Sequence, residues 1–105
     1  MIFYPRYFPV AGFTPLPWLM FIKKAYKDDI SLLKHEQTHQ RQMREDWTIV
    51  FWLRYLLSTK WRMHYEVEAY KVQMVNGASL NSCAYNLSKL YFLKITFEQA
   101  KELLS

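Results

Sequence analysis

An α+β fold, mainly helical with a small N-terminal β element, is predicted by three features of this 105-residue sequence. All four prolines and Gly12 fall within residues 1–18, where they favour extended or turning backbone over helix. From there to Gly77 the chain has neither proline nor glycine, and its apolar residues recur at helical spacing. Ser79 and Thr96 then stand where helix-starting residues belong. A chain this short has room for one core, so residues 1–105 are expected to form a single domain.

In chain order, Trp18 to Ile22 reads as a short buried strand with Lys23 and Lys24 at its solvent end, giving one edge strand or a small hairpin. The first helix is expected over about 29–44, capped by Asp28 or Asp29. Ile30, Leu33 and Leu32 begin its apolar face. A second helix follows from Trp47 to Ser58, and a third from about Trp61 to Met74, ended by Asn76-Gly77. Ser79 starts a fourth, with Leu80, Cys83, Leu87 and Leu90 or Tyr91 at helical spacing. Thr96 and Gln99 have the capping-box spacing and open the last helix, which ends near Leu104.

Composition narrows the function. Hydrophobic residues make up 51% and aromatics 18%, enough to fold and more aromatic surface than so small a body hides, so some is expected to meet substrate, a partner subunit or lipid. The net charge of +5 is spread without any run longer than a pair, and no nucleic-acid module is recognisable, which argues against sequence-specific nucleic-acid recognition. Cys83 is alone, cannot form an internal disulfide, and reads as a small buried hydrophobe, in keeping with a reducing compartment. No export signal is evident behind the N-terminal prolines. The apolar run Trp47 to Leu57 is about half the length needed to span a bilayer and contains Arg54, so it reads at most as an amphipathic surface helix.

The segment His35-Glu-Gln-Thr-His39 carries the chemistry. In a helix, His35 and His39 lie one turn apart and direct two imidazole nitrogens at one ion, zinc (Zn2+) above all. Glu36, beside the first ligand, reaches the open position and is placed to take a proton from a metal-activated water. Catalytic zinc usually has three protein ligands. A metzincin continuation is excluded, because Gln42 and Glu45 stand where Gly and His are required. The remaining candidates are the carboxylates Glu66 and Glu68 on the third helix, ahead of His64 and Cys83. Helical geometry alone leaves the two glutamates open.

With these segments the sequence resembles the gluzincin class of zinc peptidases, in which a glutamate on a later helix completes the site. It is more closely similar to small metallopeptidases of bacteriophage and bacterial genomes, with a core of HExxHxxQ followed by a Glu-x-Glu-Ala helix. Here these are His35 to Gln42 and Glu66-Val-Glu-Ala69, and the resemblance covers about residues 14–75. It implies a minimal zincin-like helix pair. With no export signal evident, a location in the cytoplasm or within a phage particle is expected. The E-x-x-x-D pattern of gluzincins selects Glu66 as third ligand and puts Tyr70 where an aspartate is expected, with Glu68 the competing choice. Tyr65, His64 and Arg62 are candidate oxyanion stabilisers, and Gln42 either supports His39 or is exposed.

The expected function is therefore zinc-dependent hydrolysis of an amide bond in a protein or peptide, with His35, His39 and Glu66 holding the ion and Glu36 as general base. An extended peptide is expected to pair with strand 18–22. The alternative is a non-catalytic, zinc-stabilised interaction protein, such as a phage particle component, that oligomerises or docks through exposed aromatics.

Overall fold

The first 22 residues form three strands, β1 (Ile2–Phe3), β2 (Gly12–Leu16) and β3 (Leu19–Ile22), in the order β1-β3-β2. The computed structural model describes residues 1–105 and is mainly helical, at 63% helix. Strands β2 and β3 form an antiparallel hairpin about Pro17-Trp18, and β1 pairs with β3 in parallel, Ile2 opposite Met20. Met20 and Ile22 alternate into the interior against Leu32. Of the edge strand or small hairpin that the sequence suggests for 18–22, the hairpin is present, but β3 is the central strand and not an edge. The prolines permit this because Pro5 and Pro9 lie between strands and Pro15 occupies the edge strand β2, where a missing N–H is tolerated.

After a 3-10 turn at Lys24–Tyr26 come α1 (Ile30–Asp46), α2 (Thr48–Leu57), α3 (Thr59–Val75), α4 (Leu80–Leu90) and α5 (Phe97–Leu104). Asp29 caps α1 by accepting the Leu32 N–H at 3.1 Å. Ser79 caps α4, and Thr96 and Gln99 complete their capping box at 3.0 and 2.9 Å. Gly77 takes φ 111 after α3. Helices α1 and α3 are each longer than expected, since Ser58 caps α3 two residues earlier and one residue, Trp47 at φ 66, suffices to turn α1 into α2.

Tyr70, Cys83, Ala84, Leu87, Leu93, Ala100 and Leu104 make the largest core cluster, joining α3 to α4 and α5. Tyr91 rather than Leu90 packs against it, and burial pushes the Cys83 thiol up to about 11. A second, smaller cluster of Met43, Phe51 and Tyr65 ties α2 to α1 and α3. Ile30, expected to begin the apolar face of α1, is exposed while Leu32 is buried. The face α1 turns inward is mostly polar, carrying His35, Glu36, Thr38, His39 and Gln42 against α3 and β2. No helix is long and apolar enough to cross a membrane.

Candidate metal centre

The inward faces of α1 and α3 bring three donor atoms together. His35 Nε2 and His39 Nε2 each lie 3.2 Å from Glu66 Oε1. Donors on one tetrahedral zinc ion, at bond lengths of about 2.0–2.1 Å, are roughly 3.3 Å apart. Although both rings are this near, Glu66 Oε1 is buried and hydrogen-bonded to neither. An orphaned oxygen between two imidazole nitrogens suits a shared cation, since burial of an unpaired carboxylate oxygen is otherwise costly. The electrostatics agree. Burial works to lower the His39 pKa, yet the charges of Glu66 and Glu36 outweigh it and raise it to about 9. Burial works to raise the Glu66 carboxyl, yet His39 and His35 hold it well below the usual carboxylate range. The cluster thus favours positive charge between an ionised Glu66 and the two rings, as a proton or as a metal ion.

Glu66 and His39 are each held by a neighbour. Glu66 Oε2 accepts the Tyr55 hydroxyl at 2.5 Å, which leaves Oε1 as the oxygen facing the rings. Burial and the Glu66 charge push the Tyr55 phenol far above its ordinary value, so it remains a donor. His39 Nδ1 pairs with Gln42 Oε1 at 2.8 Å, while Gln42 Nε2 donates to the Tyr65 carbonyl at 3.0 Å and to Glu68 Oε1 at 2.8 Å. Because both of those partners are acceptors, the amide nitrogen must face them and the amide oxygen must face His39. His39 therefore carries its proton on Nδ1 and has Nε2 for an ion. Glu68 points away from the three donors, bound by Arg41 at 2.7 Å as well as by Gln42. Glu66 joins the cluster and Glu68 does not.

His35 is steadied differently. Tyr70, at the position where the resemblance expects aspartate, lies edge-on to the imidazole with ring centroids 4.4 Å apart. Its hydroxyl pairs with that of Tyr91 at 2.6 Å, and His35 Nδ1 is buried without a partner. Tyr70 thus fixes the ring by packing, not by a hydrogen bond.

Glu36 stands beside the three donors. Its Oε2 is 3.9 Å from His35 Nε2, and its Oε1 accepts the Thr14 hydroxyl at 2.8 Å. Strand β2 crosses directly over it. A Cβ at Gly12 would sit 3.0 Å from Glu36 Cγ and Oε2, closer than ordinary packing allows. With Phe51, Trp52 and Tyr55 of α2, these residues line a cleft of about 670 Å³.

The candidate oxyanion donors are engaged elsewhere. Tyr65 donates to Asp46 Oδ2 at 2.7 Å, Arg62 donates to the carbonyls of Tyr55 and Tyr91, and His64 lies on a separate groove with Lys60 and Lys71. In their place the Tyr70–Tyr91 hydroxyl pair borders the cleft. Gly12, Thr14, Tyr55 and Tyr91 are site residues that sequence reasoning missed. Gly12 alone left a signal, as the single glycine of the N-terminal region. Compared with known protein families, with curated proteins and with solved structures, the chain matches none.

Proposed function

We propose that this chain is a zinc-dependent peptidase or related amide hydrolase of gluzincin-like design. One observation carries the reading: a buried carboxylate, Glu36, is held beside the His35-His39-Glu66 donors without being one of them, on an accessible cleft. A purely structural zinc site closes its fourth position and has no use for such a group. Bound zinc would supply Lewis acidity, polarising a substrate carbonyl and making water easier to deprotonate.

The chain's own residues account for the rest. Thr14 occupies Glu36 Oε1, so Oε2 is the atom that takes the proton from the attacking water and passes it to the leaving amine. One hydroxyl of the Tyr70–Tyr91 pair accepts the other's proton and so has its own free to donate towards developing negative charge. Strand β2, with Gly12 to Thr14 along the cleft, is the edge for an extended peptide. Strand β3 is paired on both sides and cannot serve.

The test is zinc content together with hydrolysis of a broad peptide library. One zinc per chain is expected, lost on His35→Ala or His39→Ala, with cleavage lost on Glu36→Gln. Full zinc in both histidine variants would end the metal reading. Zinc binding without turnover of any peptide would favour the interaction protein.

A further inference from the structure

We infer that the outer face of α2 is the surface through which two copies of this chain pair. Among its ten residues, Thr-Ile-Val-Phe-Trp-Leu-Arg-Tyr-Leu-Leu, only Thr48 and Arg54 lack an apolar or aromatic body. Arg54 is already used, 3.5 Å from Asp46 and stacked over Trp61 at 4.0 Å. Phe51, Trp52 and Tyr55 face inward to the cleft. The opposite face offers Ile49, Leu53, Leu56 and Leu57, which are 75%, 54%, 67% and 81% exposed, with no polar residue among them. A helix that is apolar all round is ordinarily covered on every side.

The size of the face and its pattern indicate what covers it. With Val50 at its border and Trp47 at its N-terminal end, it exposes on the order of 800 Å², more than a monomer's largest apolar patch and about one partner's share of a standard interface. Ile49, Leu53 and Leu56 follow a four-three spacing, the seam along which two helices interdigitate. An uncharged seam meets its own copy about a two-fold axis with no like charges opposed. Trp47 adds a second sign, because its φ of 66 and ψ of 136 are unfavourable for a bulky residue and hold the indole in water beside the seam. With 22 of 105 residues buried in the single chain, further burial is a real gain. A lipid surface fits less well. A membrane-surface helix carries Lys and Arg along its polar side, whereas the one cation of α2 is neutralised by Asp46.

Sedimentation equilibrium of the full chain with zinc tests the pairing, which does not depend on any activity. A mass twice 12.8 kDa is expected at micromolar concentrations, and Leu53→Glu should return it to 12.8 kDa with dissociation at least a hundredfold easier. Leu53 is exposed in the single chain, so folding should survive, as circular dichroism will report. Phe92→Ser, at another exposed apolar residue, should leave the mass doubled. Should Leu53→Glu fail to fold, Leu53→Cys takes its place. A bis-maleimide should link it into a covalent dimer, Cys83 being buried. A parent chain that stays monomeric at high concentration, a Leu53→Glu variant that stays dimeric, or a Leu53→Cys variant that does not cross-link overturns the proposal. A monomer that sediments with phosphatidylserine vesicles also overturns it, in favour of lipid.

Discussion

Helices α4 and α5 bury what water rejects, whereas α1 buries what water would accept. Around Cys83, Ala84, Leu87, Leu93, Ala100 and Leu104 the interior is apolar but for the paired Tyr70 and Tyr91 hydroxyls, and it stabilises in proportion to the area removed from water. Around His35, Glu36, His39, Gln42 and Glu66 it holds ionisable and amide groups, each of which costs free energy unless a partner restores what water supplied. Gln42, Thr14, Tyr55 and the Tyr65 carbonyl are those partners, and they leave the atoms that face the cleft without any. Helix α3 belongs to both regions, presenting Glu66 to one and Val67 to the other, with Tyr70 between them. The apolar end supplies stability, and the polar end gives up part of it to hold a site.

The largest effect expected of this division falls on turnover alone. Glu36→Gln keeps shape and neighbours, so zinc content and thermal midpoint should hold while hydrolysis falls roughly a hundredfold to ten-thousandfold. Loss of zinc in this variant would make Glu36 part of the metal cage. At the apolar end, Leu87→Ala should cost about 2–5 kcal/mol in denaturant unfolding, with zinc affinity changed no more than severalfold. A proportionate loss of zinc affinity would show the two regions to be one unit.

Smaller effects should be confined to the polar end. Gln42→Leu should weaken zinc binding roughly tenfold to a hundredfold and release the Nδ1–H tautomer of His39, visible by nitrogen-15 NMR. Glu68→Ala, one step further out, should cost less. If Glu68→Ala cost more than Glu66→Ala, the ligand assignment would reverse. The most gradual effect is with pH. The His39 pKa, raised to about 9 from 6.5 in the metal-free fold, gives a stabilisation fully present below about 6.5 and lost as pH climbs through 9. Metal must displace that proton, so zinc affinity should rise about tenfold per pH unit over the same window while the metal-free protein becomes less stable. Titration calorimetry in buffers of different ionisation enthalpy would count the proton. Zinc affinity that stays flat from pH 6.5 to 9 would refute the linkage.

What could be read from the chain alone is local. Asp29, Ser79, and Thr96 with Gln99 cap helices within one turn of themselves, and His35 and His39 share a helix face because they are four residues apart. A mainly helical chain with a small N-terminal sheet followed from such signals, as did a histidine pair flanked by a glutamate. The choice between Glu66 and Glu68 did not follow from helical geometry, since it depends on how α3 is rotated about its axis. That rotation is set where Tyr65, Ala69 and Tyr70 pack against other elements. Gly12 and Thr14 reach Glu36 across more than twenty residues of chain, Tyr55 reaches Glu66 from another helix, and β3 becomes central only when β1 returns to its far side. Caps and turns are decided by bonds within a few residues, but which side chain faces which is decided by packing between distant segments, and only the tertiary structure contains that.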